Sequence, residues 1–344
     1  MARLFPSNFR SPITTPPVAA TGAAAPITTP PVAAAGAAAP ASSTTLSLRC
    51  HCGDVSCAVP LKSTAANAAP PPRPLRCHCR ACRRFHASSF AALLPLDHIP
   101  AAFSTVADDT VQRFESECAG GLSTLSRVSC RRCKSILGAV PLGTPSTLAV
   151  AASYLAMGCI EDASIPPALA LAWQGNYQDL ATDDGARWWT ATPSSGRPMG
   201  GRGARVLRGR CACERCAFAA PSGDEFQTQH CYCNLCRRLS GSVAQTWVPV
   251  RPNGFEWTSR ETLALVRTTS HGQRHMCTAC GTTLTIVYDS QPDCIWPVAG
   301  VLDDDSLPSD LPSALARTIH ICCTYMQTWY ELPDDSMPRL RNAG

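Results

Sequence analysis

Long apolar runs are missing from this chain of 344 residues, and the longest mostly apolar stretch, 148–157, is too short to cross a bilayer. A spanning helix needs about 20 apolar residues, so no membrane span is expected. Charge of one sign is also missing: the net value of +5 is mild and no long basic helix occurs, so nucleic-acid binding is not indicated. Aromatic residues make up only 6%, but a hydrophobic share of 45% still suffices for compact cores. Acidic residues are absent before Asp54, and the 45 residues at the start are rich in Ala and Pro. Within them, Pro12-Ile-Thr-Thr-Pro-Pro-Val-Ala-Ala returns as a copy from Pro26. Proline blocks both helix and sheet ladders, so a disordered tail is expected over 1–45. Its Arg3 and Arg10 in a hydroxyl-rich start also carry a faint organelle-targeting signature.

What is abundant is cysteine, and it is arranged. Cys50-x-Cys52 is followed by Cys77-x-Cys79-x-x-Cys82 and by Cys130-x-x-Cys133. The same three clusters then recur in order as Cys211-x-Cys213, Cys231-x-Cys233-x-x-Cys236 and Cys277-x-x-Cys280. A disulfide framework is disfavoured, because the total of 21 is odd and the chain is far longer than stapled secreted domains. Bridging Cys-x-Cys also demands strained geometry, whereas close thiol pairs from separate segments suit a tetrahedral metal. Zinc is the expected ion. Redox pairs and an iron–sulfur cluster remain as alternatives, while Mg and Ca prefer oxygen donors. So many reduced thiols imply a reducing compartment, cytoplasmic or nuclear, with mitochondria in view if the tail is a targeting signal.

The repetition divides the chain into a tail (1–45), a first zinc module (46–190), a Gly/Arg linker (191–205) and a second module (206–344). It extends beyond cysteine. Gly158-Cys-Ile-Glu-Asp-Ala-Ser echoes Gly300-Val-Leu-Asp-Asp-Asp-Ser, and Arg83-Arg84 matches Arg237-Arg238. Short β-branched or alternating runs at 46–50, 88–96, 242–248, 262–269 and 282–288 predict a mainly β fold. A helical turn is expected to start at the last cysteine of each triple. The Pro/Ala-rich stretch 65–76 reads as a surface loop.

These residues resemble the family of glutathione-dependent formaldehyde-activating enzymes and centromere protein V. The resemblance rests on Cys50-His-Cys-Gly53 and Cys77-His-Cys-Arg-Ala-Cys-Arg-Arg84 in the first module. In the second it rests on Cys231-Tyr-Cys-Asn-Leu-Cys-Arg-Arg-Leu-Ser-Gly241, Cys277-Thr-Ala-Cys-Gly281, His320-Ile321 and Trp329. It implies two tandem zinc-pinned β-tent domains, each with up to two Zn2+ ions. One ion would be held by Cys50, Cys52, Cys130 and Cys133, and in the second module by Cys211, Cys213, Cys277 and Cys280. The other would be held by Cys77, Cys79 and Cys82, and by Cys231, Cys233 and Cys236. Three ligands within six residues leave a fourth position open, as a reactive zinc requires.

The implied activity is that of a carbon–sulfur lyase acting on a small thiol adduct such as S-hydroxymethylglutathione. The rivals are a non-catalytic zinc scaffold for a protein or chromatin partner, and a thiol or metal sensor. Arg83, Arg84, Arg237 and Arg238 are candidates either to bind glutathione carboxylates or to offset the thiolate charge. His51, His78 and His230 adjoin ligand cysteines but are expected to point away from the metal. Cys57 and Cys216 read as strand positions; Cys118, Cys159, Cys294, Cys322 and Cys323 read as core or surface thiols. Three departures stand out: Ala87 opposite Gly241, Lys134 opposite Gly281, and Glu214 opposite Gly53. The second module keeps more of the family pattern and is expected to be the active one.

Overall fold

In the computed structural model the described residues are 45–61, 73–104, 109–117, 124–142, 153–167, 169, 206–221, 228–306, 318–332 and 337–342. The tail except Thr45, the linker, Cys118 and most of the Pro/Ala-rich stretch lie outside them. The architecture is mainly β. In the first module β1 (Thr45–Arg49) and β2 (Ser56–Pro60) form an antiparallel hairpin. A six-stranded sheet follows, of β3 (Leu75–Cys77), β4 (Ala91–Leu96), β5 (Val111–Glu117), β6 (Thr124–Cys130), β7 (Ile136–Leu142) and β8 (Ser153–Ala156). Its order is β3-β4-β8-β7-β6-β5. The expected strand at 88–96 appears as β4; Leu75 and Arg76, expected in a loop, belong to β3 because they pair with Leu93 and Ala92.

The second module repeats the plan in smaller sheets. β9 (Val206–Arg210), β10 (Cys216–Pro221) and β13 (Glu256–Arg260) form one, and β14 (Leu263–Thr269), β15 (Gly272–Cys277), β16 (Thr283–Tyr288) and β17 (Ile295–Pro297) another. In the third, β11 (Gln229–Cys231) lies between β12 (Gln245–Trp247) and β18 (Ile319–Ile321). The β11–β18 pairing is parallel, with Cys231 opposite Ile321. That register carries the late His-Ile segment to the edge of the cysteine triple.

Each triple also starts a helix: α1 (Arg80–His86), and α3 (Asn234–Ser240) after the single-turn α2 (Ala101–Ser104). Both start earlier than the last cysteine of the triple, where the turn was expected. The physical reason is a sulfur cap. The thiol of Cys79 accepts from the backbone N–H of Cys82 at 3.5 Å, and Cys233 from Cys236 at 3.4 Å. The middle cysteine thus satisfies one of the orphan donors that every helix start leaves. Arginines in the last turn face the negative end of the helix dipole.

One continuous core runs from Leu46 and Phe90 through Trp247 to Tyr330, so the modules share their apolar interior. Two glycines allow the closest approach. Gly158 donates its backbone N–H to the carbonyl of Gly241 at 3.0 Å. A Cβ at Gly300 would lie 2.4 Å from the carbonyl oxygen of Ser88 and 2.6 Å from that of Arg83. Gly300→Ala is therefore expected to lower unfolding stability by about 1–3 kcal/mol through overpacking, read as a shift in the urea midpoint. An unchanged midpoint would mean that the two modules do not meet at this point.

Candidate functional site

The fourteen motif cysteines come together in four clusters. Cys50, Cys52, Cys130 and Cys133 form the first, and Cys211, Cys213, Cys277 and Cys280 the second. Cys77, Cys79 and Cys82 form the third, and Cys231, Cys233 and Cys236 the fourth; within each, the sulfurs lie within 4.8 Å of one another. Neighbouring sulfurs are 3.5 Å apart for Cys50 and Cys52, 3.7 Å for Cys52 and Cys130, and 3.4 Å for Cys77 and Cys79. Two sulfurs at about 2.3 Å from one tetrahedral ion are ~3.8 Å apart, so these clusters have the right size for a metal. All cysteines among the described residues are free thiols, with no disulfide.

Within the clusters the thiols perturb one another. Cys133, Cys277 and Cys233 are pulled below the ordinary thiol range by hydrogen bonds from Cys130, Cys211 and Cys231. Those three donors are pushed up in turn by their hydrogen bonds to sulfur neighbours and by burial. A cluster that carries one thiolate resists a second unless a cation sits among the sulfurs.

No histidine joins a cluster. His51 is exposed, and the ring of His78 rests against Phe90 at 5.4 Å. His230 and His320 sit in a buried polar group, with Nδ1 of His230 2.9 Å from the Thr246 hydroxyl and Nδ1 of His320 3.0 Å from that of Tyr232. Cys57 and Cys216 occupy non-equivalent strand positions, as expected: Val55, not Cys57, donates its N–H to Cys50 sulfur in the way that Cys216 does to Cys211.

Arg83, Arg84, Arg237 and Arg238 are committed to ion pairs. Each pairs with an acid of the other module. Arg83 grips Asp304 with both Nη atoms at 3.0 Å, and Arg84 holds Asp303 at 2.5 Å and Glu214 at 3.0 Å. By the same pattern Arg237 holds Asp162 at 2.7 Å and Arg238 holds Glu161 at 2.9 Å. The repeated Gly-x-x-acid-acid segment of each module thus clamps the Arg-Arg pair of the other, a self-complementary arrangement like that of a two-fold dimer. Arg208 and Arg210 lie in β9 and pair with Asp305 at 3.0 Å and Asp303 at 2.7 Å. A cavity of 320 Å³ opens on this seam among Arg80, Arg84, Arg210 and Glu214, and no cysteine lines it.

The three departures from glycine keep the glycine backbone. Ala87, Lys134 and Glu214 have φ of 48°, 61° and 64°, matching 65° at Gly241, 83° at Gly281 and 88° at Gly53. A side chain in this region costs about 1–2 kcal/mol. Glu214 offsets part of that by pairing with Arg84, so its knuckle turn is retained rather than distorted.

Two residues at the triples escaped the motif reading. Arg127 directs both Nη atoms at the Cys82 sulfur, each at 3.5 Å, and Arg274 places Nη2 3.4 Å from the Cys236 sulfur. Both side chains are buried, one over the Phe85 ring and the other over Trp247. Their signal was present: each lies three residues before the first cysteine of the late Cys-x-x-Cys.

Paired β modules that each hold a four-sulfur and a three-sulfur cluster define a class of thiolate-centred proteins. Residues 45–174 and 206–324 match the model of the glutathione-dependent formaldehyde-activating enzyme family, and the chain belongs to that family. It is also similar to a Halomonas elongata protein provisionally named a glutathione-dependent formaldehyde-activating enzyme. The two are 28% identical over 143 residues, which cover 39% of this chain and 85% of the relative.

Proposed function

We propose that the chain makes and breaks the carbon–sulfur bond of a thiol–aldehyde adduct, with glutathione and formaldehyde as the pair and zinc as the metal. The observation that carries this reading is the three-sulfur cluster, a donor set one short of a tetrahedron. The four-sulfur clusters are closed donor sets and serve as staples. A zinc ion in a three-sulfur cluster would supply a position at which an incoming thiol loses its proton and stays a thiolate.

The chain's own groups prepare that position. Cys77, Cys79 and Cys82, or Cys231, Cys233 and Cys236, converge from a strand end and a helix start. Arg127 and Arg274 donate to one sulfur of each set and offset its negative charge. Burial of Cys77, Cys79, Cys82, Cys231 and Cys236 withholds bulk water, which strengthens both effects. In the forward direction the glutathione sulfur bonds to the formaldehyde carbon, and the thiol proton ends on the former carbonyl oxygen. The reverse reaction breaks the same bond and returns both reactants. We further assign the modules to 46–190 and 206–344, and a reducing compartment to the protein.

The test is the exchange rate between 13C-formaldehyde and S-hydroxymethylglutathione, followed by NMR exchange spectroscopy. The protein should raise this rate above that of glutathione alone. A Cys79→Ser/Cys233→Ser chain, folded by circular dichroism, should return it to the background. A wild-type protein with no effect on the exchange would leave a metal-stapled interaction module instead.

A further inference from the structure

The two triples differ in what lies across the sheet from them. In the second module Cys231 of β11 stands directly opposite Gln245 of β12, and residues so paired point to the same face. Trp247 is two residues on and therefore on the same side of β12. Its ring carries the Arg274 guanidinium at 5.5 Å, and Arg274 in turn reaches the Cys236 sulfur at 3.4 Å. Thr246 turns the other way, to Nδ1 of His230 and the hydroxyl of Ser89. The Gln245 side chain is thus on the sulfur side of the sheet. It is 0% exposed, and neither its Nε2 nor its Oε1 has a hydrogen-bond partner among the described residues. A fully buried amide with both polar atoms unpaired opposes folding, and such a group calls for a functional explanation. The first module has Ala91 at this position, opposite Cys77, and offers no amide. Access differs as well: all three cysteines of the first triple are buried, whereas Cys233 of the second is partly exposed.

We propose that the Gln245 amide binds the oxygen of the thiol–aldehyde adduct at the second triple, which places the carbon–sulfur chemistry in the second module. The inference rests on the proposed function and names a group that reading leaves unassigned. The adduct enters past Cys233, with its sulfur toward the cysteines and its oxygen toward β12. In the forward step a lone pair of the thiol sulfur forms the bond to the aldehyde carbon, and the carbonyl π pair moves onto oxygen. Nε2 donates a hydrogen bond to that oxygen as its charge grows. The amide keeps its proton; the oxygen receives the one that the thiol gives up. A neutral donor fixed in a buried strand needs no reorganisation as the charge develops, which is what makes such a donor effective. The first triple, buried and with Ala91 in place of the amide, keeps a structural role.

The test follows the 13C exchange between formaldehyde and S-hydroxymethylglutathione in a full chain that carries Cys79→Ser, so that only the second triple reports. Adding Gln245→Leu should slow the exchange by about 100-fold, the scale set by one buried donor to a developing oxyanion. The urea midpoint should stay level or rise, because an unpaired amide gives way to an apolar side chain of similar volume. Gln245→Ala, the residue that β4 carries at this position, serves as a second variant and should slow the exchange equally. A direct readout uses the wild-type chain labelled with 15N-glutamine. The Gln245 side-chain resonance, identified by its absence from Gln245→Leu, should move more with glutathione and formaldehyde together than with S-methylglutathione, which lacks the oxygen. Equal exchange with and without Gln245→Leu, a resonance that both additions leave unmoved or move equally, or loss of all exchange with Cys79→Ser alone would each overturn the role of Gln245 and leave the proposed function standing. A wild-type chain that does not speed the exchange would remove both.

Discussion

Stripping metal from the two four-sulfur clusters should unfold both modules. Each cluster ties the end of an early strand to a distant turn: Cys50 and Cys52 after β1 to Cys130 at the end of β6 and Cys133 just beyond it, and Cys211 and Cys213 to Cys277 and Cys280. The β1–β2 hairpin has only two strands, and such a hairpin is marginal alone. A structural zinc contributes about 10–16 kcal/mol, which matches or exceeds the ~5–15 kcal/mol that holds a whole domain. Without the ion, the sulfurs would keep only weak thiol hydrogen bonds and face the cost of crowding thiolates. Far-UV circular dichroism and melting, recorded with reductant and a strong zinc chelator, should show loss of sheet signal that returns on adding zinc. A melting curve indifferent to chelator would mean that the clusters hold nothing that supports the fold.

Asp303→Asn should cost about 3–5 kcal/mol, because it breaks a buried charge network from the inside. The Asp303 carboxylate is 6% exposed and accepts from Arg84, itself 10% exposed, and from Arg210. Removing its charge leaves the Arg84 guanidinium buried against the module seam with only the exposed Glu214 as a partner. The neighbouring Asp305 is the contrast. It pairs with Arg208 at side-chain exposures of 76% and 48%, so Asp305→Asn should change stability by no more than ~1 kcal/mol. Urea unfolding of the two variants measures the difference. Equal midpoints would show that the clamps are incidental to the way the modules hold each other.

Ion pairs of this kind also bear on specificity. The net stabilisation from burying them is small, since desolvation offsets most of the attraction. Their value here lies in register: four arginines and four acids match only when the two modules face each other in one orientation.

The cysteine clusters and the strands were legible in the amino-acid order because both are written locally. A metal knuckle needs thiols two or three residues apart, and β-branched runs such as 283–288 favour strands wherever they fall. The start of α1 was misplaced by a few residues, since a sulfur cap is not among the usual signals of Ser, Thr, Asp or Asn. The role of Arg83-Arg84 was not legible at all. Spacing shows a pair of charges, but not the acids that meet them more than 200 residues later.

By itself the sequence determined the duplication, the β class, the cysteine pairs and triples and the family, because each depends on residue type at short spacing. Only the tertiary structure decided which arginines lock the modules and which arginines face the sulfurs. Those outcomes depend on contacts between segments distant in the chain, and such contacts exist only once the backbone has folded.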